Sequence, residues 1–231
     1  MKKVILITGA SSGMGKSAAK ILHDQGHKVY GAARRIDEMQ DLKEQGMGVV
    51  SLDLTKEESI VTAVDSVIEQ EGRIDVLVNN AGYGSYGAVE DVPIEEAKRQ
   101  FDVNIFGLAR ITQLVLPGMR ERKEGRIVNI SSMGGKIYTP LGSWYHATKH
   151  ALEGWSDALR LEVMEFGIEV VIVEPGGIKT PWGDIAVENL RKTSGQSAYA
   201  KLANKVADSM KKTYTGNSLT DVEVLGSTIA K

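Results

Sequence analysis

Short apolar runs rich in β-branched residues alternate along this chain with longer stretches whose apolar residues recur at helical spacing. Val4 to Ile7, Lys28 to Ala32, Val49 to Leu52, Ile74 to Val78, Arg126 to Ile130 and Ile168 to Val173 read as six strands. Between them lie helical patterns near Met14 to Gln25, Ile36 to Glu44, Glu57 to Glu71, Ile94 to Arg122 and Ser143 to Glu165. The strands are nearly all apolar rather than alternating, as expected where a parallel sheet is covered on both faces. The pattern therefore predicts the α/β class, a doubly wound parallel sheet with helices on both faces, in a single domain over residues 1–231.

Beyond Pro175 the pattern weakens. Gly176 to about Tyr214 is richer in Gly, Ser, Lys and Asn, and its helices look marginal. Residues 176–215 are expected to form a mobile substrate-binding segment over a crevice, the plainer alternative being a long surface loop. A short helical pattern from Asp221 to Ile229 ends the chain, with no strand after it.

Bulk properties remove several function classes. With 231 residues, 42% of them apolar and 25% charged, one sizeable core is the simplest reading. The formal net charge of −2 gives no electrostatic reason to propose nucleic acid or an anionic membrane as partner. The absence of cysteine excludes disulfides, thiolate metal sites and Cys nucleophiles, and four scattered His residues suggest no metal site. The apolar run after Lys2-Lys3 stops at Thr8-Gly9, short of a signal peptide's core, and no stretch approaches the ~18 apolar residues of a membrane span. A cytoplasmic protein is expected.

Tyr145 and Lys149 stand four residues apart in a helical segment, on one face. A phenol has an ordinary pKa of about 10, and a neighbouring ammonium favours the phenolate, so the pair is a candidate general acid or base. The run Thr8-Gly9-Ala10-Ser11-Ser12-Gly13-Met14-Gly15 joins the first strand to the first helix, where glycine permits a tight turn and close approach of phosphates to a helix N-terminus. Its spacing is G-x-x-x-G-x-G rather than G-x-G-x-x-G.

With these motifs the chain resembles the short-chain dehydrogenase/reductase family of the compact, single-domain, Rossmann-like kind. Four elements carry the resemblance: Thr8 to Gly15, Asn79-Asn80-Ala81-Gly82 after the fourth strand, Ser132 with Tyr145 and Lys149, and Pro175-Gly176 after the sixth. It implies a catalytic tetrad of Asn104, Ser132, Tyr145 and Lys149, with Asn104 assigned from its place in Asp102-Val103-Asn104-Ile105-Phe106-Gly107. Ser132 would hydrogen-bond a substrate carbonyl oxygen, Tyr145 would protonate it, Lys149 would lower the Tyr145 pKa and hold the nicotinamide ribose, and Asn104 would anchor a water beside Lys149. The cofactor contacts it implies are Gly9, Ser11, Ser12, Gly13, Met14, Gly15, Arg34, Arg35, Asp53, Asn80, Ala81, Gly82, Tyr145, Lys149, Pro175, Gly176, Ile178 and Thr180.

Cofactor choice turns on the end of the second strand. Where an acid would select NAD(H) by binding the free ribose hydroxyls, this chain has Ala33 followed by Arg34 and Arg35, so NADP(H) is expected. Asp53 matches the family's adenine contact, the alternative being a helix N-cap acid before Glu57. Met133, Tyr138, Leu141, Trp144, Tyr83, Tyr86 and Trp182 lie near the motifs and are mostly apolar, which favours a hydrophobic ketone or alcohol as substrate.

The resemblance further implies a homodimer, or a tetramer, paired through the helices around Phe101 to Met119 and Trp144 to Leu161. It also implies a seventh strand that the sequence lacks, either by truncation, the favoured reading, or by loss. The function expected is an NADP(H)-dependent oxidoreductase interconverting a carbonyl compound and an alcohol. A non-catalytic NADP(H)-sensing regulator and a nucleotide-sugar epimerase are the alternatives, the first disfavoured by the intact Ser132, Tyr145 and Lys149, the second by the lack of a larger substrate domain.

Overall fold

The computed structural model describes residues 2–215 and 219–231. Six strands form one parallel sheet in the order β3-β2-β1-β4-β5-β6: β1 (Val4–Thr8), β2 (Lys28–Ala33), β3 (Gly48–Ser51), β4 (Val76–Asn79), β5 (Gly125–Ile130) and β6 (Ile168–Val173). The strand order reverses between β1 and β4. At that switch point the loops leaving the carboxyl ends of the two strands diverge and open a crevice.

β1 shows why the apolar run is continuous. Ile5 and Ile7 enter a core with Ala18, Ala19 and Leu22 of α1 (Gly13–Asp24) and Leu225 and Ile229 of α9 (Val222–Ile229). Val4 and Leu6 point the other way, into a core with Ile60, Val64 and Val67 of α3 (Glu57–Glu71), Ile111, Val115 and Met119 of α5 (Gly107–Arg122), and Leu159 of α6 (Ser143–Val163). Each such side chain taken fully from water contributes roughly 1.5–3 kcal/mol, so the two faces demand apolar residues at every position. The remaining helices are the short α2 (Gln40–Glu44) and α4 (Ile94–Phe101), with α7 (Trp182–Ser194) and α8 (Ala200–Thr215). No helix among the described residues is long and apolar enough to cross a membrane.

Two elements differ from the sequence expectation. The single helix expected from Ile94 to Arg122 is interrupted by a π turn over Asp102–Phe106, between α4 and α5. Such wide turns are common at functional sites, and this one contains Asn104. The segment 176–215, read as weakly helical, contains the well-formed α7 and α8, which pack on each other through a third apolar cluster including Ala186, Val187, Leu190, Ala203 and Ala207. Small alanines at that contact make the pattern look weak by hydropathy although the helices bury one face each.

Candidate active site

The Thr8 hydroxyl accepts hydrogen bonds from the backbone N–H groups of Asn80 (3.1 Å) and Ala81 (3.0 Å), tying the end of β1 to the loop that leaves β4. Asn80 Nδ2 returns the link by donating to the carbonyls of Thr8 (3.0 Å) and Gly9 (3.2 Å). Over this stitch runs the glycine loop, with Gly9 at φ +70° and Gly13 at φ +55°. A Cβ on Gly15 would stand 2.4 Å from Asn80 Nδ2 and 2.7 Å from the Gly9 carbonyl oxygen, so only glycine lets the helix start this close to the loop. Among the described residues the Ser12 N-cap side chain makes no capping bond, so no side chain from that position occupies the first-turn N–H groups of α1. Thr180 closes the other side, its Cγ2 3.4 Å from where a Gly13 Cβ would be. Ile178 beneath it is buried.

Arg34 and Arg35 follow β2 directly, both exposed. Arg35 is engaged, with Glu38 at 2.8 Å and a weak contact to the Ser11 hydroxyl at 3.5 Å. Arg34 has no ion pair within 4.0 Å among the described residues, and its charge reaches both Asp53 and Tyr83. Asp53 is not a helix N-cap, the position before α3 being Lys56. It instead accepts from the Thr55 N–H (3.1 Å) and hydroxyl (2.8 Å), and these bonds together with Arg34 and Lys56 outweigh partial burial and hold its carboxyl below the usual range.

The tetrad residues converge at the carboxyl ends of β4 and β5. Ser132 lies just beyond β5, its hydroxyl oxygen accepting from the Gly134 N–H at 3.0 Å, which leaves its proton free to donate. Lys149 is buried and its ammonium donates to the Ile130 carbonyl at 2.8 Å. Burial lowers its pKa to about 8, opposed by the Glu153 charge one turn further along α6. Gly82 joins the group, since a Cβ there would lie 3.1 Å from Asn104 Oδ1 and 3.8 Å from Lys149 Nζ. Asn104 accepts from the Tyr83 N–H (3.1 Å) and donates to the Tyr83 carbonyl (2.9 Å) and the Thr148 hydroxyl (3.1 Å), so its amide fixes the loop at Tyr83 and keeps one Oδ1 lone pair for water.

The groups that move the Tyr145 pKa here are its burial, Ser132 and Tyr214, and not the Lys149 charge. Burial pushes the phenol up to about 12, with Ser132 beside it pulling the other way and Tyr214 adding to the rise. The cause is aromatic cover: Trp182 packs on the Tyr145 ring at 5.4 Å between centroids, Tyr86 at 5.8 Å, and Tyr214 backs Trp182 at 5.9 Å. The Lys149 ammonium meanwhile is drawn to Ile130.

Of the apolar residues expected at the pocket, Tyr86, Leu141 and Trp182 share the cluster around Tyr145, and the Met133 sulfur would lie 3.5 Å from a Cβ on Gly176. Tyr138 is 83% exposed. Trp144 turns away, packing on Phe101 and lining a hollow with Ile94 and Phe106, while the Tyr83 hydroxyl is held by Glu96. Tyr214 and Thr148 are residues the sequence reading missed, and the stitching role of Thr8 was not foreseen. Thr8 was legible only as the residue before the glycine loop.

A sequence profile of the short chain dehydrogenase family matches residues 3–190. The chain belongs to the short-chain dehydrogenase/reductase family. Among its relatives, a 3-ketodihydrosphingosine reductase of Bacteroides thetaiotaomicron is 44% identical, over 84% of this chain and 70% of its own length. A crystal structure of a short-chain dehydrogenase from Streptomyces avermitilis is 36% identical, superposes with a TM-score of 0.85 and is matched over 99% of this chain and 83% of that one. The closed form of a serine dehydrogenase complexed with NADP+ reaches the same TM-score at 28% identity, over 98% of this chain and 87% of that one. The short-chain dehydrogenase/reductase fold and its class of oxidoreductase chemistry are therefore those of this chain.

Proposed function

We propose that the chain is an NADP(H)-dependent carbonyl reductase, reversible as an alcohol dehydrogenase, acting on an apolar ketone. The observation that carries this reading is the placing of Ser132, Tyr145 and Lys149 at the carboxyl end of β5, beside the switch point of the sheet, with an aromatic roof over Tyr145. A nicotinamide nucleotide, when bound, supplies or accepts the hydride. The residues that would hold it fit: the Gly9–Gly15 loop and the α1 N-terminus for phosphates, Asn80 to Gly82 and Pro175 to Thr180 for the nicotinamide half, and Asp53 for the adenine. The Lys149 ammonium keeps two N–H donors beyond its bond to Ile130 for ribose hydroxyls. Arg34, rather than the engaged Arg35, is the group free to pair with a 2′-phosphate.

Ser132 polarises the substrate carbonyl through its unspent O–H, and Tyr145 gives that oxygen its proton. Raised by burial, the phenol holds its proton at neutral pH and can give it to the oxygen that gains charge as hydride arrives. Trp182 covers Tyr145, so a substrate enters only when residues 176–215 shift; apolar walls from Tyr86, Leu141 and Trp182 favour a hydrophobic ketone. The relative named a 3-ketodihydrosphingosine reductase supports a keto compound as substrate. The exposed Ile94 and Phe106 beside Phe101 and Trp144 support a homodimer paired through α4 to α6, and the reading places the enzyme in the cytoplasm.

The test is NADPH oxidation with a panel of aryl, steroid-like and long-chain ketones that includes 3-ketodihydrosphingosine, comparing the native chain with Tyr145→Phe. Turnover lost in Tyr145→Phe with NADPH still bound supports the reading; NADPH binding without turnover of any carbonyl by the native chain replaces it with a sensor. Arg34→Ala should erase a preference for NADPH over NADH, and an unchanged ratio of the two affinities would overturn the cofactor assignment.

A further inference from the structure

His146, the residue after Tyr145, is buried and its imidazole makes three polar contacts, none of them part of the chemistry above. Nε2 lies 3.0 Å from the Thr139 backbone nitrogen and 3.0 Å from the Thr139 hydroxyl oxygen. Nδ1 lies 3.0 Å from the Gly134 carbonyl oxygen. A backbone N–H can only donate and a carbonyl can only accept. Nε2 is therefore the lone-pair nitrogen and the ring proton sits on Nδ1, fixing one neutral tautomer. The slot is cut to the ring: a Cβ on Gly134 would stand 3.0 Å from Nδ1, and one on Gly142 would stand 2.8 Å from Nε2.

Both ends of the imidazole thus grip the turn that begins at Ser132. Gly134, held through its carbonyl, is the residue whose N–H donates to Ser132 Oγ. Thr139, held through its N–H, closes the far side of the same turn, after which Leu141 takes the uncommon φ of +66° and its carbonyl accepts from the Gly87 N–H at 2.8 Å. Because His146 and Tyr145 are neighbours on α6, this grip sets the Ser132 hydroxyl against the same helix that carries the phenol.

We propose that His146 is a positioning residue that holds Ser132 in register with Tyr145, acting through Gly134 and Thr139. The proposal rests on the reading of Ser132 as donor to the substrate carbonyl, and the experiment separates the two. His146→Phe fills the slot without either bond, whereas His146→Asn places an amide N–H near the former Nδ1 and keeps the bond to Gly134. On a ketone found by the panel, His146→Phe should lower kcat by about tenfold to a hundredfold, as misplacement of a reacting group does. NADPH affinity should stay within about twofold, and His146→Asn should recover most of the kcat loss. In a Ser132→Ala background His146→Phe should cost almost nothing more, since a residue acting through Ser132 has nothing left to position.

Additive losses in the double variant, or an unchanged kcat in His146→Phe, overturn the proposal while leaving Ser132 in place. Full activity of Ser132→Ala overturns the reading beneath it instead. Should His146→Phe fail to fold, 15N NMR of the native chain decides the geometry without any substrate: a protonated Nδ1 and bare Nε2 at neutral pH are required, and the opposite tautomer defeats the proposal.

Discussion

Lys149 and Glu153 stand one turn apart on the buried face of α6, and the carboxylate opposes the loss of the lysine's proton that burial favours. Glu153 reaches outward to Lys136 at 3.0 Å, which also meets Glu174 at 3.4 Å, while the Ser131 hydroxyl lies on its inner side, both groups near the position a Gly135 Cβ would take. Removing the charge should therefore act on Lys149. In Glu153→Gln the Lys149 pKa should fall below its value of about 8, and the alkaline limb of activity should move to lower pH. NMR titration of labelled lysine, assigned with Lys149→Met, reads the shift; an unmoved midpoint would mean that the two charges do not communicate.

The same buried ammonium links stability to pH. Its folded pKa of about 8 lies below the 10.5 of an exposed lysine, so between these values the unfolded chain binds more protons and stability rises with pH. The native chain should gain on the order of 3 kcal/mol across that window from this group, and Lys149→Met should flatten the rise. Urea denaturation of both proteins at pH 7.5 and near pH 10, about the onset of tyrosine ionisation, compares them. Parallel stability curves would show that Lys149 keeps its ordinary affinity for protons.

Trp182 is predicted to hold the phenol in its acid form. Trp182→Ala removes a large part of the cover over Tyr145, so the phenol should fall from about 12 toward its ordinary value near 10. The ultraviolet absorbance of tyrosinate, as the difference from a matched Tyr145→Phe variant, follows it. A titration midpoint unmoved by Trp182→Ala would place the cause of the shift elsewhere.

Gly15→Ala should weaken NADPH binding by more than about tenfold while leaving the rest of the sheet folded. Its new Cβ meets Asn80 Nδ2 and the Gly9 carbonyl and must displace the glycine loop from the mouth of the crevice. Fluorescence titration with NADPH measures the loss, and the far-ultraviolet circular dichroism spectrum checks the fold. Undiminished affinity would mean that the loop does not cradle the phosphates.

The architecture was legible because the strands are short and mostly apolar, the central β1 being buried at every position from Val4 to Thr8 before Gly9. Ser132, Tyr145 and Lys149 were legible through their spacing and lie together in space. What the residues did not announce depends on packing between distant segments. The π turn at Asn104 arises inside an unbroken helical pattern, and Tyr214 reaches Trp182 from the far end of α8. Trp144 and Tyr145 illustrate the limit, since one residue of offset on α6 sends the first to Phe101 and the second to Trp182. Proximity in sequence to a lysine likewise says nothing of the desolvation that burial imposes on Tyr145.

The third apolar cluster, which joins α7 and α8 to Tyr86 and Leu141, is separate from the two cores that sandwich the sheet. Its members on α7 and α8, Trp182 excepted because it covers Tyr145, can be exchanged without disturbing the strands that carry the glycine loop or the helix that carries Tyr145 and Lys149. Selection can therefore retune what the protein accepts and leave the reaction itself untouched, so diversity within this architecture should accumulate in the roof. For the protein engineer the same partition marks α7 and α8 as the region to randomise, and α6 as the one to leave alone.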